Sequence, residues 1–455
     1  MSLAAKSPSH AQPHGAISYQ QLLDTDTHRV PAVLRMENRL DTAPSEITID
    51  RYISRAIFEL EVERIWKRVW QMACREEDIP TVGDSIVYDI AGMSFLVIRT
   101  GAAEIKAYYN ACLHRGRLLR ENSGRCLTEL RCPFHGFAWN LDGTLKHVPS
   151  RWDFPHIKND EWHLPEARVD RWGGFVFINP DPHCEPLAEF LGAELTSQFE
   201  RWPLERRYKQ AHVAKILRCN WKVAQEAFME AFHVVATHPQ LLAGIGDSNS
   251  QYDVWGNFSR AITANGTPSP YLNWEPSEQE KFDAMTDRRL DEPPLVAIPS
   301  GATARQVSAA GGREQLRAAL GGSVDELSDA ELIDSFYYTV FPNFHPWGAY
   351  NRIVYRFRPY GTDVDRSIME CIYLAPFNGD KPAAAEIHWL GADDDWTDAP
   401  ELGFLARVFN QDTFNLPKVQ LGLKATAKKT VTLARYQESK LRHFHHLYDR
   451  WMAKA

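Results

Sequence analysis

Two short groups of metal-capable side chains stand out in this 455-residue chain, Cys112-Leu113-His114 and Cys132-Pro133-Phe134-His135. Each supplies one thiolate and one imidazole, so the pair offers two sulfur and two nitrogen donors from two loops. That mixture suits a [2Fe-2S] centre in which two Cys hold one iron and two His take the place of Cys on the other. A structural zinc also accepts two Cys and two His, although zinc modules usually put both Cys in one arm and both His in the other.

A second constellation lies downstream: Glu226, Glu230, His233 and His238, among Val223, Ala224, Ala227, Phe228, Met229, Ala231 and Phe232. The spacing predicts a helix that starts at Asn220-Trp221-Lys222 and carries Glu226, Glu230 and His233 on one face. A helix apolar around most of its surface is buried, and two carboxylates with an imidazole inside it need partners. A metal ion would supply one. His233 and His238 would stand roughly 140° apart on an ideal helix, so they can share an ion only if the helix ends or bends between them. Pro239 disfavours helical geometry at His238 and puts the break there. The alternative is two His closing a helix end through ordinary hydrogen bonds.

The elements that must hold these groups follow from periodicity. Residues 1 to about 40 are rich in Ser, Ala, Pro and His and read as an arm, disordered or laid across a neighbouring subunit. From Ile49 to Trp70 apolar residues recur at mostly helical spacing. Short β-rich runs then begin: Ser85–Ile90, Ser94–Arg99 and Ile105–Asn110, which opens into the first metal loop. Phe137–Leu141, Asp142-Gly143 and Thr144-Leu145 read as a hairpin, and a last strand of a small β domain falls within Trp172–Asn179. Lys209–Leu217 is a strand. From Leu241 to about Ala330 the text is irregular, as in a lid or pocket-lining insertion, apart from a capping box at Ser328 and Glu331. Strand-like runs at Phe336–Val340, Asn351–Phe357, Ile368–Leu374 and Glu386–Leu390 predict an antiparallel sheet behind the second metal group, and Glu438–Trp451 a closing helix whose His443, His445 and His446 are packing or surface residues.

Composition narrows the class. With 44% hydrophobic residues the chain can build two or three cores. The net charge of -8, from 59 acids against 51 Lys and Arg without a basic block, speaks against nucleic-acid binding. No apolar run reaches membrane-spanning length, and the N-terminus lacks the apolar core of a signal peptide, so no membrane association and a cytoplasmic location are expected. Seven cysteines do not read as a disulfide framework; Cys74, Cys184, Cys219 and Cys371 are expected to be buried and small. A dinucleotide fingerprint of the G-x-G-x-x-G type after a strand is missing.

The loops Cys-Leu-His-Arg-Gly-Arg and Cys-Pro-Phe-His-Gly-Phe-Ala-Trp-Asn-Leu-Asp-Gly-Thr-Leu, with the Glu230–His238 segment, resemble those of Rieske oxygenase catalytic subunits, the aromatic-ring-hydroxylating oxygenases, over about residues 50 to 445. Cys126 has no place in that pattern. The resemblance implies an α+β fold: an all-β Rieske domain (66–180) inserted in a helix-grip catalytic domain (41–65 and 181–455) with an antiparallel sheet. It implies Cys112, His114, Cys132 and His135 as cluster ligands, and His233, His238 and a carboxylate as ligands of a mononuclear Fe(II). Asp412 is that carboxylate, because it stands eight residues before Gln420-Leu421-Gly422-Leu423, as in the family; Gln411 departs from the family's usual Glu. Glu230 takes the position of the carboxylate that bridges a cluster His of one subunit to an iron His of the next, and Glu226 that of a polar residue lining the iron pocket. Phe341-Pro342-Asn343-Phe344 is similar to a turn bordering the pocket.

The implied activity is that of a terminal oxygenase. It would take electrons from a ferredoxin or NAD(P)H-dependent reductase and use O2 to hydroxylate a hydrophobic aromatic or alicyclic compound, ring cis-dihydroxylation first, held in a pocket lined from Phe228, Met229 and Phe232. Monooxygenation or O/N-demethylation are alternatives, and a Rieske electron carrier without oxygenase activity a more distant one. A homotrimer is implied, and a small β subunit is an open addition.

Overall fold

A computed structural model of the chain describes residues 17–40, 42–288 and 292–454. Among these residues most strands fall into two antiparallel sheets. Six short strands form the first, in the order Gln71–Arg75, Phe175–Asn179, Glu166–Trp172, Ile105–Tyr109, Met93–Arg99 and Ser85–Ile90. A three-stranded sheet of Leu130–Arg131, Ala138–Trp139 and Leu145–His147 is inserted in sequence between the Ile105–Tyr109 and Glu166–Trp172 strands. Its turn is Asp142-Gly143, where Gly143 sits at φ +86° and a Cβ would stand 2.7 Å from the Tyr108 ring. Only Gly meets both demands. Leu96, Ile98, Tyr108, Leu130, Phe137 and Trp139 pack around Cys112 and Cys132 in a core of their own.

The second sheet has eight strands: Ile245–Trp255, Phe258–Asn265, Ser335–Val340, Phe344–Pro346, Ile353–Tyr360, Asp363–Pro376, Arg207–Leu217 and His388–Leu390. All neighbours are antiparallel except the last pair. Against it pack the Leu405–Ala425 and Ser439–Met452 helices. Arg356 ties this sheet to the first by donating to the carbonyls of Met72 and Ala73 at 2.8 and 2.7 Å, and Arg358 reaches the Asp89 carbonyl at 3.0 Å.

Several expectations are corrected. The 49–70 segment is three pieces, Asp50–Ile53, Arg55–Glu61 and a π-turn at Val62–Trp66, because Ser54 is extended and its hydroxyl accepts the Ile57 N–H instead. Residues 17–40 are ordered against their own chain: Gln20 Nε2 donates to Gln251 Oε1 at 2.8 Å, Asn38 N to Asp253 Oδ1 at 2.8 Å, and Thr27 Oγ1 to Asp329 Oδ2 at 2.8 Å. Residues 1–16 lie outside the described residues. The span 241–330, read as irregular, holds two long strands and the Ala304–Leu320 helix, capped by Thr303 and Gln306. Arg305 of that helix reaches Asp334 Oδ1 at 2.7 Å and Asp26 Oδ1 of the arm at 3.3 Å. Cys184 is half-buried where full burial was expected, while Cys74, Cys219 and Cys371 are buried.

Candidate metal centres

The two Cys/His loops are built alike. In the first, Cys112 N donates to the Arg117 carbonyl at 2.8 Å and Gly116 N returns to the Cys112 carbonyl at 2.9 Å; in the second, Cys132 N donates to Phe137 O at 2.8 Å and Gly136 N to Cys132 O at 3.0 Å. Gly116 and Gly136 both take positive φ, +75° and +84°, which lets each loop turn back on its own Cys. Cys112 and Cys132 are buried, while His135 is exposed and His114 half-buried. The imidazoles meet edge to face at 4.7 Å between centroids. His114 Nδ1 is buried without a hydrogen-bond partner, as a nitrogen reserved for a metal would be. Sulfurs inside and imidazoles outside is the donor arrangement that a [2Fe-2S] centre with mixed ligands requires.

The second group assembles from distant segments. The Trp221–Glu226 helix, capped by Asn220, stops at Glu226. The predicted single helix face through His233 is therefore not formed, and residues 227–233 turn before a short helix at Val234–Thr237. Glu230 organises that turn: its Oε2 accepts the His233 N–H at 2.9 Å and its Oε1 lies 2.8 Å from His233 Nδ1. His238 leaves helical geometry at φ -127° and ψ 54°, just before Pro239, as the sequence predicts. The two His then converge on Asp412, buried on the Leu405–Ala425 helix. Asp412 Oδ1 lies 2.8 Å from His238 Nε2 and 3.4 Å from His233 Nε2, and the three ligand atoms fall within 4.8 Å of one another.

Electrostatics show what this trio lacks. Burial alone would neutralise the His233 imidazolium, yet the Glu230 and Asp412 carboxylates hold its pKa up at about 10. Burial would likewise raise Asp412, but hydrogen bonds from His233 and His238 hold it below the usual carboxylate range. Two imidazole nitrogens facing one carboxylate oxygen can donate to it as N–H groups or, as lone pairs, share a cation with it. Two His and one carboxylate are the facial set of a non-haem Fe(II), and the residues present fit it. Each ligand His also has an outer partner for its other nitrogen, Glu230 for His233 and Gln411 Oε1, at 2.8 Å, for His238.

A cavity of about 720 Å³ opens on this group, lined by Phe228, Glu230, His233, His238 and Asp412 and by Tyr337, Trp347, Tyr355 and Phe409. Its roof comes from Val307, Ser308, Gly311, Gly312 and Gln315 of the Ala304–Leu320 helix. None of the described lining residues is Lys or Arg.

Residues 196–454 match the ring hydroxylating alpha subunit catalytic domain, and residues 69–158 match the Rieske [2Fe-2S] domain. The chain belongs to the ring-hydroxylating oxygenase alpha-subunit family. Members carry a Rieske [2Fe-2S] domain and a catalytic domain that binds mononuclear iron. The chain is 28% identical to the carnitine monooxygenase oxygenase subunit of Escherichia coli (strain K12) over 238 residues, 52% of this chain and 61% of that one. It is 29% identical to the biphenyl 2,3-dioxygenase subunit alpha of Rhodococcus jostii (strain RHA1) over 203 residues, 43% of this chain and 44% of that one. These matches thus span less than two thirds of either relative's length. In fold it is similar to a quaternary ammonium Rieske monooxygenase, with a TM-score of 0.65 at 17% identity over 92% of this chain and 100% of that one. A naphthalene 1,2-dioxygenase mutant bound to phenanthrene gives 0.62 at 17% identity over 92% of this chain and 96% of that one. No described helix is long and apolar enough to cross a membrane.

The four cluster residues sit on paired loops, and His233, His238, Asp412 and Glu230 converge. Glu226 does not line the cavity: its carboxylate accepts from Tyr52 Oη at 3.1 Å and meets His445 Nε2 at 2.9 Å, because its helix ends there and turns it toward the closing helix. Of the expected pocket residues, Phe228 lines the cavity, whereas Met229 is buried elsewhere in the core and Phe232 is 38% exposed. Sequence reasoning did not assign His445 to Glu226 or Gln411 to His238. The second had a signal, since Gln411 adjoins the proposed ligand.

Proposed function

We propose that this chain is the terminal oxygenase of a multicomponent system that hydroxylates a neutral, hydrophobic organic compound with O2. The observation that carries the reading is one chain holding both the Cys/His loops and, beside an apolar cavity, the His233, His238 and Asp412 group. When bound, the ferrous ion offers open positions for dioxygen and substrate, and the cluster delivers single electrons. Phe228, Tyr355 and Phe409 form an aromatic wall that keeps water from the reacting centre. Glu230 fixes the tautomer of His233 and, as in relatives of this kind, is the bridge to a cluster histidine of a neighbouring copy in a trimer. A pure electron carrier would need neither cavity nor second metal group.

An electron donor of ferredoxin or reductase type is required. It would reach the exposed cluster edge at His135, bordered by half-exposed Phe134 and by Arg115, which lies over the Phe134 ring. The substrate we favour is aromatic or alicyclic, because a zwitterion such as carnitine would bring a carboxylate into a cavity whose described walls offer no cation. Ring cis-dihydroxylation is the first reading of the outcome. Single oxygenation or demethylation is the second, favoured by the identity with a carnitine monooxygenase.

Two measurements decide. Anaerobically prepared protein should hold about three irons per chain, two in the cluster and one beyond it, and Asp412→Ala should lose one without changing the visible spectrum. Retention of all the iron in that variant, or zinc in place of iron, would sink the proposal. Turnover of a naphthalene probe under ¹⁸O2 with a surrogate reductase then separates the readings: two labelled atoms in one product mean dihydroxylation, one means monooxygenation.

A further inference from the structure

The two ligand histidines are backed unequally. His233 Nδ1 faces the carboxylate of Glu230 at 2.8 Å, whereas His238 Nδ1 faces the amide of Gln411 at 2.8 Å. Gln411 does not stand alone. Gln240, on the Pro239–Leu241 turn that follows His238, donates from Nε2 to the same Gln411 Oε1 at 2.9 Å, and Gln411 Nε2 points back to Gln240 Oε1 at 3.4 Å.

The orientation follows from valence. His238 Nε2 faces Asp412 and must offer its lone pair to a cation, so Nδ1 carries the hydrogen. Gln411 must therefore present oxygen to His238. A free amide could turn by half a rotation and offer its NH2 instead. The Gln240 donor on the same oxygen opposes that turn, since Gln411 turning alone would set two NH2 groups against each other and both amides would have to turn together. The charge count gives the second half of the argument. Glu230 and Asp412 bring two negative charges to a ferrous ion carrying two positive ones, and Gln411 adds none.

We infer that the Gln240–Gln411 amide pair is a positioning device that locks His238 in its metal-binding tautomer while leaving the ferrous centre without net charge. The inference rests on His233, His238 and Asp412 being the ligands. A carboxylate at position 411 would hold the histidine as well, but would add a negative charge in a buried site and favour ferric over ferrous iron. A side chain of similar length without an acceptor would leave the His238 N–H unpaired and the ring free to turn.

The test uses the full chain with its cluster in place, titrated anaerobically with Fe(II) against a competing chelator, together with a redox titration of the mononuclear iron. Gln411→Met should lose about 10- to 100-fold in iron affinity, and Gln240→Leu should lose less in the same direction. Gln411→Glu should keep affinity within a few fold of wild type and shift the iron potential to more negative values. Wild-type affinity in Gln411→Met, or an unchanged potential in Gln411→Glu, overturns the inference. Should Gln411→Met fail to fold, judged by its cluster spectrum and melting temperature, the potential of Gln411→Glu decides alone. Asp412→Ala run alongside keeps the ligand reading separate: iron retained there refutes the ligands, while iron lost there with Gln411→Met unaffected refutes only the amide pair.

Discussion

Replacing Lys222 by Met probes how the helix leading to the iron ligands is anchored. Lys222 and Glu61 are both 0% exposed, and their Nζ and Oε1 atoms lie 2.6 Å apart. Glu61 also accepts from Trp221 Nε1 at 3.1 Å and from Tyr448 Oη at 2.7 Å. At an effective dielectric constant near 20 the gross attraction is about 6 kcal/mol, most of it offset by the desolvation of both ions. Removing only the ammonium leaves a buried carboxylate with two neutral donors, which should cost about 3–5 kcal/mol. Lys222→Met with Glu61→Gln removes both charges, keeps an acceptor for Trp221 and Tyr448, and should recover most of that loss. Glu61→Gln alone adds a pH signature. Burial already lowers the Lys222 pKa, so between that lowered value and the ordinary lysine value the unfolded chain binds more protons than the folded one, and over that range stability of this variant should rise with pH. Equilibrium urea unfolding read by far-UV circular dichroism, with cluster absorbance followed separately, gives all three values. A Lys222→Met variant within 1 kcal/mol of wild type, or a double variant no more stable than it, would refute the reasoning.

Two other perturbations follow from buried or strained positions elsewhere in the fold. His443 is buried and its pKa is pushed down to about 4 by burial first and then by His446 and Arg450, so its contribution is present above pH about 6.5 and lost at up to about 1.4 kcal/mol per unit as pH falls toward 4; urea midpoints at pH 7 and 5 should fall less steeply in His443→Gln, and parallel slopes would count against this. Gly143→Ala forces a side chain into positive φ and against the Tyr108 ring, at a cost of about 1–3 kcal/mol, and should make the cluster's visible absorbance disappear at a lower temperature than in wild type; an unchanged melting profile would contradict the clash.

What the sequence disclosed was chemistry carried by local pattern. The Cys/His loops, the Asp142-Gly143 turn, the break at His238 and the strands after Ser335 are written in spacings a few residues long. The Ile245–Trp255 strand was hidden because its buried residues are largely polar: Asp247, Ser248, Ser250, Gln251 and Asp253 are all buried yet read as loop. Their partners are far away in sequence. Asn38 N donates to Asp253 Oδ1 at 2.8 Å and Gln251 Nε2 to the Met36 carbonyl at 2.9 Å, so the strand's burial depends on the arm, whose own sequence reads as disordered or laid across a neighbouring subunit. The helix after Asn220 failed in the opposite way: a largely apolar run suggested continuity, while the helix stops at Glu226 and Glu230, in the turn that follows, uses its carboxylate on the His233 N–H. Asp412 had no local signal that set it apart from Asp393, Asp394 or Asp395; family likeness singled it out, and geometry then brought it to the two His.

The N-terminal arm reaches the ceiling of the cavity. Asp26 meets Arg305 at the start of the roof helix, and Thr27 shares Asp329 with Arg313 farther along it. Shortening the chain from its front would therefore loosen the substrate chamber without altering one residue that touches it. Truncations or fusions made there for convenience would be expected to change which compounds fit, and how long they stay, before they change any property of the iron.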